Sequence, residues 1–273
     1  MKDFNQSDVL LREQYRDATK LYDRIRLHQR FSVNPEPLWE WVWRLVRLPA
    51  NARILEVGAG PAHFWLTNHH QVPEGWEIVL SDFSPGMIQQ AGENLGDARH
   101  RYSFLCANVM AIPFPDQYFD GVFANFMLYH APNLDGAIRE LHRVLKPGGR
   151  LYAATNGSGH MKQLKDLLRR LDPNALLVGV ETSFGLENGY EALHRYFPVV
   201  NRHYYDDALE VTEVEPLVAY ALSGGISQRL DEDPEPLRAA IQQVIAHEGM
   251  FFIQKRSGLF EAIKSLDVDN PPS

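Results

Sequence analysis

The apolar positions of this chain recur with two periods, and the period changes along its length. Leu11, Tyr15, Ala18, Tyr22 and Ile25 fall three or four residues apart. That is the spacing of one helix face, so an amphipathic helix is predicted over residues 8–28. Asn34-Pro35-Glu36-Pro37 breaks it, and the Trp-rich run LWEWVWRLVRL predicts a second helix from Leu38 to Leu48. From Arg53 the period shortens and then alternates. RILEVGAG, WEIVLSDFS, RYSFLCANV, FDGVFANFML and RLYAATNG read as strands, SPGMIQQAGENL and LDGAIRELHRVLKPGG as helices. Ser84 is placed to cap the first of these helices with Pro85 in its first turn. A Pro-Gly-Gly turn closes the second. Strand and helix in alternation predict an α/β fold, a parallel sheet with helices on both faces.

After Ser158 the rhythm changes. MKQLKDLLRRL and VEPLVAYALS are predicted helices, and DEDPEPLRAAIQQVIAHEG begins as an acidic loop and becomes one. VVNRHYYDDALEVT predicts a strand pair or one long bent strand. MFFIQKRSGLFEAIK predicts a final strand with a turn at Ser257-Gly258. The tail VDNPPS is expected to fray.

Composition narrows the function classes. Of 273 residues 45% are hydrophobic and 23% charged, an ordinary globular balance. The formal net charge of -8 argues against a nucleic-acid partner, whose phosphates call for a basic surface. The N-terminal arginines and lysines are interleaved with Glu13, Asp17 and Asp23, which reads as a solvated helix face. One cysteine, Cys106, permits no internal disulfide framework. No signal peptide and no membrane-length apolar run are visible. The expectation is a soluble, cytoplasmic protein, monomeric or homodimeric, with neither nucleic acid nor membrane as partner.

The chemistry begins in RILEVGAGPAHFW, residues 53–65. A strand that runs into glycines and then a helix lets the backbone approach a nucleotide and offers it free N–H groups. Gly58 and Gly60 fit a dinucleotide fingerprint, but its last position is His63. The acid-x-G-x-G order from Glu56, with a second acid, Asp82, ending the next strand, resembles motifs I and II of the class I S-adenosylmethionine (SAM) methyltransferases. AIPFPDQYFDGVFANFMLYHAPN and RELHRVLKPGGRLYAAT are similar to the corresponding segments of the ubiquinone/menaquinone-methyltransferase-like (methyltransferase type 11) branch. The likeness is strong over about residues 50–156, and looser over 195–222 and 250–264.

That resemblance implies a Rossmann-like sheet of seven strands, mostly parallel with the last antiparallel. It also implies an N-terminal helical lid over residues 1–50. A SAM-binding domain over 51–273 would carry a helical cap insertion at about 157–195. Glu56, Gly58, Ala59 and Gly60 would face the methionine part and ribose of SAM, with Asp82 on the ribose hydroxyls. Phe83 and Met87 would flank the adenine, and Asn108 would accept from its amino group beside Val109 and Met110. Asn125, Phe126 and Met127 would run under the sulfonium, and Arg26 or His28 would reach the methionine carboxylate. A third glycine of the family's motif often falls at Ala62. Alanine there is tolerable in right-handed helical geometry, so an intact site is expected.

Methyl transfer from a sulfonium needs positioning more than a fixed catalytic signature. His130, at the edge where open α/β sheets bind ligands, and Tyr15 and Tyr22 on the first helix are the candidate catalytic residues. No metal site is suggested, which argues against a magnesium-dependent transferase. The segments outside the sheet are long enough to cover a pocket, which suits a small-molecule acceptor methylated at oxygen or nitrogen. The alternatives are an enzyme that cleaves SAM itself, releasing methylthioadenosine, and a non-catalytic SAM-binding protein.

Overall fold

In the computed structural model, which describes residues 19–175, 183–223 and 227–266, the apolar runs become the middle of one sheet. Strands β1 (Arg53–Val57), β2 (Glu77–Asp82), β3 (Tyr102–Cys106), β4 (Phe119–Phe123), β5 (Leu145–Asn156), β6 (Val199–Tyr205) and β9 (Ser257–Ile263) lie in the order β3-β2-β1-β4-β5-β9-β6. β1 to β5 pair in parallel, and β9 runs antiparallel to both of its neighbours, as the resemblance implies. Ile54, Leu55 and Val57 of β1 are almost fully buried, as a strand covered on both faces requires. The order reverses between β1 and β4, and this switch point opens a crevice beyond the strands' carboxyl ends.

Helices α3 (His63–Asn68), α4 (Pro85–Leu95) and α5 (Leu134–Val144) follow β1, β2 and β4. Ser84 caps α4 by accepting from the Met87 N–H, and Asn133 caps α5 by accepting from that of Gly136. The Lys-Pro-Gly-Gly stretch expected to close α5 as a turn instead lies inside β5. There the β4–β5 register shifts between Phe119 and Gly121, and the irregularity absorbs the proline.

Further helices complete the structure: α1 (Thr19–Phe31), α2 (Leu38–Leu45), α6 (Lys162–Leu171), α7 (Gly189–His194), α8 (Val214–Leu222), α9 (Gln228–Glu232) and α10 (Glu235–Glu248). Two more strands, β7 (Ala208–Val211) and β8 (Phe251–Gln254), form a separate antiparallel pair. The run VVNRHYYDDALEVT therefore yields two strands that join different sheets. So does MFFIQKRSGLFEAIK, and its turn is at Lys255-Arg256, because Ser257 and Gly258 already pair within β9. The first predicted helix runs further than expected, to Phe31, and its residues 8–18 lie outside the described residues.

One hydrophobic cluster lies above the sheet's carboxyl edge. It joins Leu27 and Phe31 of α1, Leu164 and Leu168 of α6, and Leu217 of α8 to the β7–β8 pair. A bridge from Ser32 to Leu209 and a Val33 N–H bond to the Ala208 carbonyl pin the end of α1 to β7. The crevice is thereby roofed by α1. Among the described residues no helix is long and apolar enough to cross a membrane.

Candidate cofactor and acceptor cavity

The crevice under α1 is a cavity of about 660 Å³, within the range of small-ligand sites. Its floor is the turn after β1. Gly58 and Gly60 both have positive φ (61° and 53°). A Cβ on Gly58 would come within 2.7 Å of the Met127 Cβ, so the loop and the β4 end approach as only glycine allows. Ala62 is the exception to expectation. It is not right-handed but sits at φ 61°, ψ 33° as the residue that opens α3. The left-handed geometry costs an alanine about 1–2 kcal/mol. Its fully buried methyl returns about 0.8 kcal/mol. The loop therefore keeps the glycine shape without the glycine.

Asp82 ties this loop to β2. Its Oδ2 accepts from the Gly60 N–H at 2.9 Å and its Oδ1 from the Ser84 N–H at 2.8 Å. Burial pushes the Asp82 carboxyl up, against those bonds. Glu56 lies deeper, only 2% exposed, and accepts from the Trp65 indole and from Asn125 Nδ2. Burial pushes its carboxyl up to about 8, with Asp82 adding to the rise. Asn125 Oδ1 is buried and has no partner among the described residues. Asn125 lines the cavity, and an unmatched acceptor there suits an ammonium or amine.

Phe83, Asn108 and Val109 line the same end, with Phe83 left 42% exposed. Asn108 Oδ1 already accepts from the Met110 N–H at 2.9 Å, which leaves one lone pair for a ligand. Met87 and Met110 are not brought to the cavity. Met87 is buried in the first turn of α4, and Met110 packs over Gly136. Arg26 is exposed on the outer face of α1, whereas Arg24 and His28 line the cavity. The apolar stripe of α1 faces the roofed side, and residue 24 shares that side with Leu21 and His28 as residue 26 does not. Tyr22 is also directed away: its hydroxyl donates to Asn94 Oδ1, and Asn94 in turn donates to the Pro61 carbonyl. Tyr15 lies outside the described residues. His130 lines the cavity, and burial with Arg24 nearby lowers it to about 4.

The far end holds residues that sequence reasoning did not single out. His160 and Lys255 line it and are each only 5% exposed. Lys255 is ion-paired with buried Asp207. Burial and Lys255 lower both His28 and His160, the latter to about 3. His160 follows a strand end in an unremarkable Gly-Ser-Gly-His run, and Lys255 sits in what looked like continuous strand. Neither local pattern separates them from surface residues. Among the described residues no cluster of histidine, cysteine and acidic side chains is placed to hold a metal.

A protein-family model described as "Methyltransferase domain" matches residues 55–153. The chain is 27% identical over 167 residues to the ubiquinone/menaquinone biosynthesis C-methyltransferase UbiE of Pectobacterium carotovorum. That alignment covers 59% of this chain and 64% of the relative, so the chain spans less than two thirds of it. Among solved structures, YcgJ from Bacillus subtilis superposes with a TM-score of 0.59 at 16% identity, covering 83% of this chain and 97% of that one. Haemonchus contortus phosphoethanolamine N-methyltransferase 2, solved with S-adenosylhomocysteine, gives 0.59 at 18% identity, covering 97% and 61%. At these identities the structural likeness is one of fold.

Proposed function

We propose, for a chain that belongs to the class I SAM-dependent methyltransferases, that it transfers a methyl group to an oxygen or nitrogen of a small molecule. The observation that carries this reading is a single cavity with two unlike ends. A glycine loop anchored on Asp82 floors one end, and buried His160 and Lys255 with His28 line the other.

When bound, SAM supplies a methyl group on a positively charged sulfur, an electrophile that needs no further activation. Asp82 has the lone pairs left to accept from a ribose diol while it still holds Gly60 and Ser84. Phe83 offers a face to the adenine, and Asn108 its remaining lone pair. Glu56 fixes Asn125 so that its free Oδ1 is turned to accept from the methionine amino group. Arg24 takes the role first expected of Arg26. Its guanidinium bonds only the neutral Ser223 among the described residues and has donors left for the methionine carboxylate. Trp39 and Phe126 pack edge to face, 5.7 Å between ring centroids, and together give the cavity an apolar aromatic wall. His130, kept neutral, is a proton acceptor beside that path. Of the lid proposed over residues 1–50, the described part that serves so is 19–50, and the described residues of 51–273 form the body with the cap proposed at 157–195.

The test is calorimetric titration with SAM, S-adenosylhomocysteine and NADH, then chromatography of the SAM mixture with and without an acceptor panel. Saturable binding of both sulfur nucleotides but not NADH, with S-adenosylhomocysteine formed only when acceptor is present, is the expected result. Methylthioadenosine released from SAM alone would replace methyl transfer by SAM cleavage. Absence of sulfur-nucleotide binding would remove the reading altogether.

A further inference from the structure

Hydrogen-bond accounting at the far end of the cavity is unbalanced. The carboxylate and Asn156 amide oxygens are occupied. Asp207 Oδ1 accepts from the N–H groups of Asn34 and Ala208, and its Oδ2 from Ser32 and Lys255. Asn156 Oδ1 accepts from Ser257 Oγ at 2.8 Å. The Tyr205 hydroxyl donates to the Glu36 carbonyl. The donors are in surplus. Lys255 uses one of its three N–H groups on Asp207 and lies over the Tyr205 ring. His160 accepts the Arg256 N–H at Nδ1, which puts the proton of its neutral ring on Nε2. No described residue accepts from that Nε2–H. His28 stands beside His160, ring centroids 6.0 Å apart, and its buried Nδ1 is unpaired. With its proton on Nε2 this neutral ring offers a further donor and keeps an unpaired acceptor at Nδ1.

This compartment is separate from the cofactor end. Leu21 of α1 lies over the glycine loop, with its Cδ2 3.8 Å from where a Gly60 Cβ would stand. His28 is seven residues further along the same helix, about 10 Å away at 1.5 Å per residue. Asp82, Asn125 and Arg24 serve the near end, and none of them supplies an acceptor to the far one. Buried donors without acceptors persist in folded chains where a ligand completes them.

We propose that the far end binds an oxyanion of the methyl acceptor, a carboxylate or a phosphate monoester, between Lys255, His160 and His28. The inference rests on the methyltransferase reading for the word acceptor, but the subsite itself is defined by the donors. The anion takes the unused ammonium and imidazole N–H groups and orients the rest of the acceptor toward Phe126. The low basicity of both imidazoles agrees with this. They enter as neutral donors and are not already charged and repelled by Lys255.

The probes are benzoate, phenyl phosphate and the neutral isostere benzamide, titrated calorimetrically at fixed ionic strength into the full chain saturated with S-adenosylhomocysteine. The expected result is binding of benzoate or phenyl phosphate at least about tenfold tighter than benzamide, one charge-assisted hydrogen bond's worth. Which of the two binds tighter assigns carboxylate or phosphate. The preference should vanish in His28→Leu and in the charge-neutral double variant Asp207→Asn/Lys255→Met, which leaves no orphaned ion if the single Lys255 variant fails to fold. Arg170→Gln, an exposed charge on α6, should leave it intact. Equal binding of benzamide, no binding of any probe, or a preference that survives both variants overturns the subsite. Failure of S-adenosylhomocysteine to bind, with variant-sensitive benzoate binding retained, would remove the methyltransferase reading and leave the anion site standing.

Discussion

At the glycine loop the cavity is lined by carboxyl groups, Glu56 and Asp82. About 10 Å along α1 it is lined by imidazoles and an ammonium, His28, His160 and Lys255. One physical cause acts at both ends. Removal from water disfavours whichever form is charged, so the carboxyls are pushed up and the histidines down. The two ends are thus shifted in opposite directions by the same burial. The exceptions mark where charge is held by geometry. Lys255 and Asp207 remain an ion pair because each buried charge is held directly against the other. Asp82 has two backbone N–H donors to stabilise its ionised form.

The contrast can be broken most severely at the ion pair. Lys255→Met leaves Asp207 buried and alone, and urea unfolding should report a loss of about 3–5 kcal/mol. Asp207→Asn/Lys255→Met should recover most of it, and an equal loss in the double variant would mean that packing, not charge, holds this end. Next is Asp82→Ala. On the proposed reading it removes two charge-assisted bonds to a ribose, so S-adenosylhomocysteine affinity should fall at least about 100-fold by calorimetry. The neutralised ion-pair variant should leave that affinity within about threefold, since separate sites are nearly additive.

A pH series separates the ends by sign. Glu56 ionises near 4.5 unfolded and near 8 folded, so the folded chain holds the extra proton between those values. Its contribution to stability is full below pH 4.5 and is lost as pH rises through 8. Glu56→Gln should flatten the alkaline side of the stability curve, and an unchanged slope would place the titrating group elsewhere. His130 and His160 run the other way, with 6.5 unfolded against about 4 and about 3 folded. Their contribution is full above pH 6.5 and is lost as pH falls toward 4, a slope that His160→Gln should reduce. The smallest effect is expected at Ala62→Gly. Relief of the left-handed strain and loss of a buried methyl are each about 1 kcal/mol and opposed, so stability should move by less than about 1 kcal/mol.

The glycine-loop end was the legible one. Glu56, Gly58, Gly60 and Asp82 sit in a contiguous strand–turn–helix–strand run, where the local order of residues already brings them to the crevice. Details that depend on side-chain direction were less so. Arg26 and Arg24 are equally basic in the sequence, and only the facing of α1 against α8 separates them. Met87 matched a helical spacing, and that same spacing served the core. The far end assembles His28, His160 and Lys255 from three segments spread across the chain. No short-range pattern links them, because a turn at Lys255-Arg256 between two sheets creates their meeting.

The attachment of α1 has a consequence for the order of events. Its last residues are stitched to β7 at Ser32 and Val33, while its first described turn rests on the glycine loop and on Asn94 through Leu21 and Tyr22. Arg24 adds a third tether, to Ser223, midway along the helix. Leu21 lies about 16 Å from Ser32 along α1 and His28 about 6 Å. If the Arg24 and Tyr22 bonds part, a swing about Ser32 displaces the glycine-loop end nearly three times as far as the inner compartment, so the wider door is the one over the loop.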